Sequence, residues 1–172
     1  FDKTHYSDGR FAELKGVPGQ RVAQRDRSGG IWFLGGGATL YNDGNFINLR
    51  EEQGLVSSGV SDLIQTRDGI VWMGTDNGVS TYDGRTIKNY GAREGVTDGL
   101  IRTVCEASDN SLWFGGTSEI VGGKGELFQY HQSKFTKFSI DDGLIDGNIN
   151  VIFEAKDNNL YIGTSKGLSI YD

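Results

Sequence analysis

The chain has 172 residues, a net charge of −6, 27 glycines and a single proline. This length suits one domain with a real core, and the scattered basic residues of an acidic chain exclude an extended nucleic-acid surface. No stretch approaches the roughly 18 consecutive apolar residues of a membrane-spanning helix, so we expect no direct membrane insertion. A glycine-rich chain with many aromatic and β-branched residues is typical of short strands joined by tight turns.

The predicted elements begin with "THYSDGRFAEL" at residues 4–14, which has the pattern of a closing hairpin. Units of four short strands follow. The clearest unit predicts strands at 60–64, 70–74, 79–82 and 86–90, separated by Asp-Gly and Asp-Asn-Gly turns. Within a single domain over 1–172, we predict a closing strand or strands (1–15), a first blade (16–53), a second (54–94), a third (95–142), and a fourth that lacks its last strand (143–172).

An aromatic residue recurs in the second strand of every unit. The stretches "IWFLGGG", "VWMGTDNG", "LWFGGTSE" and "LYIGTSKG" place it at intervals of 40, 41 and 48 residues, the last lengthened by an insert at 118–126. Four short strands in about 40–45 residues are typical of a β-propeller blade. The aromatic side chain fits between blades, and the glycine that follows lets a neighbouring backbone approach. The predicted structural residues are Trp32, Trp72, Gly74, Trp113, Gly115, Tyr161 and Gly163.

The predicted fold class is therefore an all-β propeller of about four four-stranded blades. Open sheet edges at both ends would leave unpaired backbone groups, which favours closure of the ring. Three forms of closure stay open. The N-terminal strand closes a four-bladed ring, two chains form an eight-bladed ring as a homodimer, or the chain is part of a larger propeller.

The repeat resembles a known family, the two-component regulator propeller. In one unit the resemblance lies in Asp68-Gly69, in Trp72 to Thr75 and in Tyr82-Asp83, and another unit matches at Ile162 to Thr164 and Gly167-Leu168. The resemblance implies the sensor domain of a bacterial two-component system on the periplasmic or extracellular side. It also implies a propeller that responds to carbohydrates.

The candidate ligand site is the mouth of the central channel, where loops from all blades converge. The start of each first strand lines this mouth, and arginine and asparagine there suit hydroxyl-rich or carboxylate ligands. The alternative is that these residues are solvated strand starts. No pattern predicts catalytic residues, a metal site or a cofactor. The predicted ligand-binding residues are Arg21, Ser58, Ser61, Arg102, Asn148 and Asn150.

These observations predict a non-catalytic, ligand-binding or sensing propeller module whose ligand is a carbohydrate or another small molecule. The alternative hypothesis is a structural or protein-interaction scaffold that assembles through its end strands. The acidic residues lie mainly in turns, where the side chain bonds the local backbone, so they do not by themselves indicate an enzyme.

Overall fold

A computed structural model describes residues 22–97, 99–117 and 126–172 of the chain. The predicted closing segment 1–15, the candidate ligand residue Arg21 and residues 118–125 of the insert lie outside these ranges. Within the described ranges, no helix is long and apolar enough to cross a membrane.

The described residues form four antiparallel sheets, each a meander in which consecutive strands pair. Sheets A, B and C have four strands and sheet D has three. The prediction of an all-β propeller fold is therefore confirmed. The strands are β1 Val22–Arg25, β2 Ile31–Leu34, β3 Ala38–Asn42 and β4 Asn45–Leu49 in sheet A; β5 Val60–Gln65, β6 Val71–Thr75, β7 Gly78–Tyr82 and β8 Ile87–Tyr90 in sheet B; β9 Leu100–Glu106, β10 Leu112–Thr117, β11 Leu127–His131 and β12 Lys134–Phe138 in sheet C; and β13 Ile149–Glu154, β14 Leu160–Thr164 and β15 Gly167–Tyr171 in sheet D.

Local side-chain chemistry fixes the turns between these strands. Between β5 and β6, the Asp68 carboxylate accepts hydrogen bonds from the Thr66 hydroxyl and from the Ile70 N–H. Gly69 in the same turn has a φ of +88°, a left-handed conformation that glycine adopts without steric cost. The Asp-Gly signal in the sequence therefore marks a real turn.

The connections between sheets repeat as well. Each begins with a short 3₁₀ turn, at Glu51–Gln53, Ala92–Glu94 and Ile140–Asp142. The glycine after each turn has a left-handed φ, between 89° and 110°, so a residue with a side chain would be strained there. This explains why a glycine recurs 18 residues before three of the four aromatic residues. The three glycines are Gly54, Gly95 and Gly143.

The hydrophobic core lies between the sheets, and sheets A, B and C each present their recurring tryptophan to the next sheet along the chain. We call this side of a sheet its forward face and the opposite side its rear face. Trp32 packs on sheet B, Trp72 on sheet C and Trp113 on sheet D. Trp72, for example, lies 5.7 Å from Phe114 and 4.8 Å from Tyr130 between ring centroids.

The first and the last of the four sheets, A and D, expose apolar side chains on the faces that point away from the other sheets. On sheet D, Leu168 and Ile170 of β15 and Phe153 of β13 are exposed. On sheet A, Ile31 of β2 is exposed on the rear face. Each of the three internal junctions buries the corresponding surfaces, whereas no sheet within residues 22–97, 99–117 and 126–172 covers these two end faces.

Candidate functional site

A β-bulge interrupts the first strand of sheets B, C and D at the same place. In each strand one residue has no partner on the neighbouring strand, because the pairing register shifts across it. A bulge bends the strand and redirects a side chain, and bulges are common beside functional sites. We call the three unpaired residues the bulge site: Ser61, Arg102 and Asn150.

The bulge site lies on the innermost strands of the propeller. Strands β5, β9 and β13 each pair with one strand only, which leaves their other edge free. These first strands also approach one another most closely across the sheet boundaries, with Cα atoms within 8 Å. Three repeat-equivalent side chains are therefore presented on adjacent inner strands.

The side chains of the bulge site are available to a ligand. Arg102 and Asn150 are exposed and Ser61 is half-buried. In the described part of the chain, none of the three side chains makes a hydrogen bond or an ion pair. One hydroxyl, one guanidinium and one amide therefore stand free on neighbouring strands.

The other predicted ligand residues have different surroundings. Ser58 is engaged locally, because its hydroxyl accepts a 3.0 Å bond from the Glu51 N–H and its own N–H donates to the Glu51 carboxylate. Asn148 is half-buried just before β13, and its carbonyl accepts a 3.1 Å bond from the Ser165 N–H. Ser58 therefore serves the turn before β5, whereas the Asn148 side chain makes no hydrogen bond within the described residues.

Asp62, which follows Ser61, is a residue that the sequence did not single out. One carboxylate oxygen accepts bonds from the Gln24 side chain of sheet A (3.1 Å) and from the Leu63 N–H (2.9 Å). The other accepts a 2.8 Å bond from the Val104 N–H of sheet C. One side chain thus joins three sheets, next to Ser61 of the bulge site, and fixes the spacing of their first strands.

Burial of Asp62 has a consequence for pH dependence. Loss of hydration raises the pKa of this carboxyl above its usual value of 3.8, although the hydrogen bonds that it accepts act in the opposite direction. The folded protein therefore binds a proton at Asp62 more tightly than the unfolded chain does. This contribution to stability is complete below the unfolded pKa and is lost as the pH rises through the folded pKa.

We expect Asp62→Asn to lower the free energy of unfolding by about 1 kcal/mol, because the amide retains one acceptor but loses another. The difference from the wild type should increase as the pH falls from 7 towards 4, since only the wild type takes up this proton on folding. Urea unfolding of both proteins at several pH values measures the difference. A gap that narrows on acidification would contradict the assignment.

Two clefts lie at the other end of the sheets, near the turns between first and second strands. The cleft between sheets A and B has a volume of about 200 Å³, and the cleft between sheets B and C about 260 Å³. Arg67 in the larger cleft already donates to the Ser108 carbonyl (3.0 Å) and to the Asn110 side chain (2.6 Å). The guanidinium there stabilises a sheet junction, which makes this end the weaker candidate for ligand binding.

The meander order of the sheets, the aromatic packing between them and the inner-strand bulges define a β-propeller repeat protein. Residues 54–77 and 143–166 match the family model described as "Two component regulator propeller". The sequence motifs predicted this match. No curated protein matches the chain.

Solved structures share the fold at low sequence identity. The chain is 18% identical to the extracellular domain of a protein from B. thetaiotaomicron described as a hybrid two component system, BT3049, with a TM-score of 0.76 over 98% of this chain and 23% of that one. It is 17% identical to an inactive variant of virginiamycin B lyase from Staphylococcus aureus, solved with quinupristin, with a TM-score of 0.69 over 94% of this chain and 58% of that one. A gluconolactonase from Xanthomonas campestris is 14% identical, with a TM-score of 0.60 over 89% and 58% of the two chains.

Proposed function

We propose that this chain is a non-catalytic ligand-binding module of an extracytoplasmic bacterial sensor, and that its ligand binds at the bulge site. One observation carries the proposal: three equivalent bulges present free polar side chains on adjacent inner strands. Packing alone does not require a hydroxyl, a guanidinium and an amide there. A ligand that accepts and donates several hydrogen bonds would satisfy all three.

The chemistry of the three side chains favours an oxygen-rich ligand. The guanidinium of Arg102 presents several donors in a planar fork, which matches a carboxylate or a pair of hydroxyls. Ser61 and Asn150 each both donate and accept hydrogen bonds. A sugar, and above all one that carries a carboxylate, offers complementary groups, so we propose carbohydrates as the ligand class.

The same site supports a binding role more than a catalytic one. A serine hydroxyl, a guanidinium and an amide do not change protonation state near neutral pH. General acid–base chemistry needs a group whose pKa lies near the working pH. The lyase and the gluconolactonase share the fold of this chain, and fold alone does not determine activity.

The proposed location is the periplasmic or extracellular side. Support comes from the repeat family and from the extracellular domain of BT3049, which shares the fold. The chain spans only 23% of that domain and 58% of the lyase, so any signalling output belongs to the proposal.

Binding measurements test this proposal. We expect a panel of neutral and uronic-acid oligosaccharides to contain at least one ligand that raises the melting temperature and gives a saturable titration by calorimetry. Arg102→Ala should then weaken binding about tenfold or more, because it removes a charge-assisted hydrogen bond worth roughly 1.5–3 kcal/mol. Arg85→Ala, in the outer β7–β8 turn, is the matched control and should leave the affinity unchanged. Equal affinities of both variants and the wild type would overturn the site.

A scaffold role is the second candidate, favoured by the exposed apolar side chains on the forward face of sheet D. Surfaces of this kind mark interaction sites in soluble proteins. The two roles use different surfaces: ligand binding uses the inner strands, and the scaffold role uses the forward face of sheet D.

A further inference from the structure

One buried polar group at the junction between sheets A and B has no partner. Trp32 is 1% exposed, and its indole N–H makes no hydrogen bond within the described residues. A buried donor without an acceptor destabilises a fold, and the N–H of a buried tryptophan usually has a partner. The described part of the chain therefore leaves an acceptor to be supplied at this position.

Sheet C shows how the fold satisfies the same donor internally. Trp113 holds the repeat position of Trp32, and its N–H donates a 2.9 Å bond to the hydroxyl of Ser111, in the turn before β10. In sheet A the residue two before the tryptophan is Gly30. Both turns close with a bond from a backbone N–H to the carbonyl four residues later, at 2.9 Å in sheet A and 2.8 Å in sheet C. The glycine therefore removes the hydroxyl while the turn stays the same.

The smaller of the two clefts, between sheets A and B, opens at this turn. Trp32 forms part of its wall, and Leu63 and Ile64 of β5 provide an apolar side. In sheet C the indole N–H points towards the equivalent turn, where it meets Ser111. The volume of about 200 Å³ is below the roughly 300–1,000 Å³ of pockets for drug-sized molecules. The cleft therefore suits a small ligand.

The Asp26 carboxylate in the cleft wall has an oxygen to spare. Within the described residues it accepts three hydrogen bonds, from the Ser28 N–H, the Ser28 hydroxyl and the Gly30 N–H, and all three go to Oδ1. Its Oδ2 lies beside Gly30, since a Cβ built on that glycine would be 2.7 Å from it. The turn thus offers an acceptor on Asp26 and a donor on Trp32, and a hydroxyl group matches both because it accepts and donates.

Arg27 adds a cationic group to the same cleft. Its Nε donates to the Gln65 carbonyl at 3.3 Å and its Nη2 to the Glu106 carboxylate at 3.4 Å. Its Nη1 has no partner among the residues that the structure describes. A guanidinium binds a carboxylate through paired N–H groups. The cleft therefore combines groups that bind a hydroxyl with one that binds a carboxylate.

We propose that this cleft is a second ligand site, separate from the bulge site, and that it binds a small α-hydroxy acid. The ligand hydroxyl accepts a bond from the Trp32 N–H and donates one to Asp26 Oδ2. The ligand carboxylate pairs with Arg27, and the remaining carbon atoms lie against Leu63 and Ile64. The bulge site lies at the opposite end of the sheets, so the two sites bind their ligands independently.

The indole N–H signals of the three tryptophans in a nitrogen–proton correlation spectrum provide the test. Loss of one signal in Trp32→Phe assigns it. We expect lactate to shift the Trp32 signal saturably and to leave that of Trp113, which is already bonded to Ser111, in place. Propionate lacks the hydroxyl and propylene glycol lacks the carboxylate. Each should bind at least about fivefold more weakly than lactate, because each loses one set of hydrogen bonds.

Gly30→Ser supplies the missing hydroxyl from within the chain. The added Cβ would meet Asp26 Oδ2 and Leu40 Cδ1 at 2.7 Å, and both atoms are at the ends of side chains that can move. We expect the Trp32 signal to move to higher proton frequency without any ligand, and lactate binding to weaken about tenfold or more. Gly30→Ala is the matched control. It adds the same Cβ without a hydroxyl and should leave the signal of the free protein in place.

Arg27→Gln keeps the proposal testable if the Gly30 variants fold poorly, because the Arg27 side chain is 57% exposed. It should weaken lactate binding about tenfold. Arg67→Gln, the equivalent change at the next junction, should leave the affinity unchanged. A Trp32 signal that lactate does not move would mean that a trapped water alone satisfies the N–H, and the proposal would be wrong. Equal affinities for the three compounds, or equal lactate affinities of Arg27→Gln and the wild type, would also overturn it.

Discussion

Replacing Trp113 with alanine is expected to lower the free energy of unfolding by about 3–5 kcal/mol, the usual cost of removing a large buried aromatic side chain. Trp113 is 1% exposed and packs on the core between sheets C and D. Its ring lies 5.5 Å from Phe138 and 4.9 Å from Tyr171 between centroids. The indole N–H donates a 2.9 Å bond to Ser111, so the alanine variant would also leave a buried hydroxyl with one partner fewer.

Tyr161 provides the matched control, because it holds the same repeat position on the forward face of sheet D. It is half-buried, and its hydroxyl bonds Asp157 at 3.2 Å in an exposed turn. We expect Tyr161→Ala to cost less than about 1 kcal/mol, since no sheet formed by the described residues covers that face. Urea unfolding with equal m-values for the three proteins measures both changes. Similar losses at the two positions would show that sheet D is covered in solution.

The repeat predicted the fold because it is visible in the sequence at two levels. The aromatic positions set the number of sheets, and the Asp-Gly pairs set the hairpins. In the second unit the predicted strands agree with β5 to β8 within one residue at each end. Short strands with strong turn signals leave little freedom in register.

The bulge site was predictable in part. Ser61, Arg102 and Asn150 are aligned near the starts of first strands, and that alignment made them candidates. The bulges themselves depend on how two strands pair, which no single strand encodes. Ser58 has the same sequence signal, yet its hydroxyl completes a turn with Glu51. Position along the strand could not distinguish a free side chain from one that stabilises a turn.

Asp62 escaped prediction for a different reason. A repeat directs attention to what its copies share, whereas Asp62 differs from its counterpart in the next sheet. Thr103 holds in sheet C the position that Asp62 holds in sheet B. Thr103 pairs with Gly115, and Asp62 pairs with Gly74. The hydrogen bonds that give such a residue its role cross between sheets, and the relevant partners are about 40 residues away in sequence.

Gly115→Ala should destabilise the folded chain for a purely steric reason. Gly115 is not among the glycines with a left-handed φ, so alanine is compatible with its backbone. A Cβ there would lie 2.3 Å from Cγ2 and 2.7 Å from Cβ of Ile149 on sheet D. Because Ile149 is fully buried and branched at Cβ, it cannot turn away. We expect a loss of about 1–3 kcal/mol from overpacking.

Gly163 occupies the same position on sheet D. There we expect alanine to leave the free energy of unfolding unchanged or to raise it. A Cβ there would meet Cγ1 of Val151 at 2.8 Å, within its own sheet. Val151 is 53% exposed, so its side chain can rotate into open space. Alanine also lowers the entropy of the unfolded chain, which stabilises a compatible site by about 0.4–1 kcal/mol. Gly163→Ala should therefore be neutral or stabilising in the same urea measurement. If it destabilises as much as Gly115→Ala, a further sheet already packs on sheet D, because only a neighbouring sheet makes this glycine necessary.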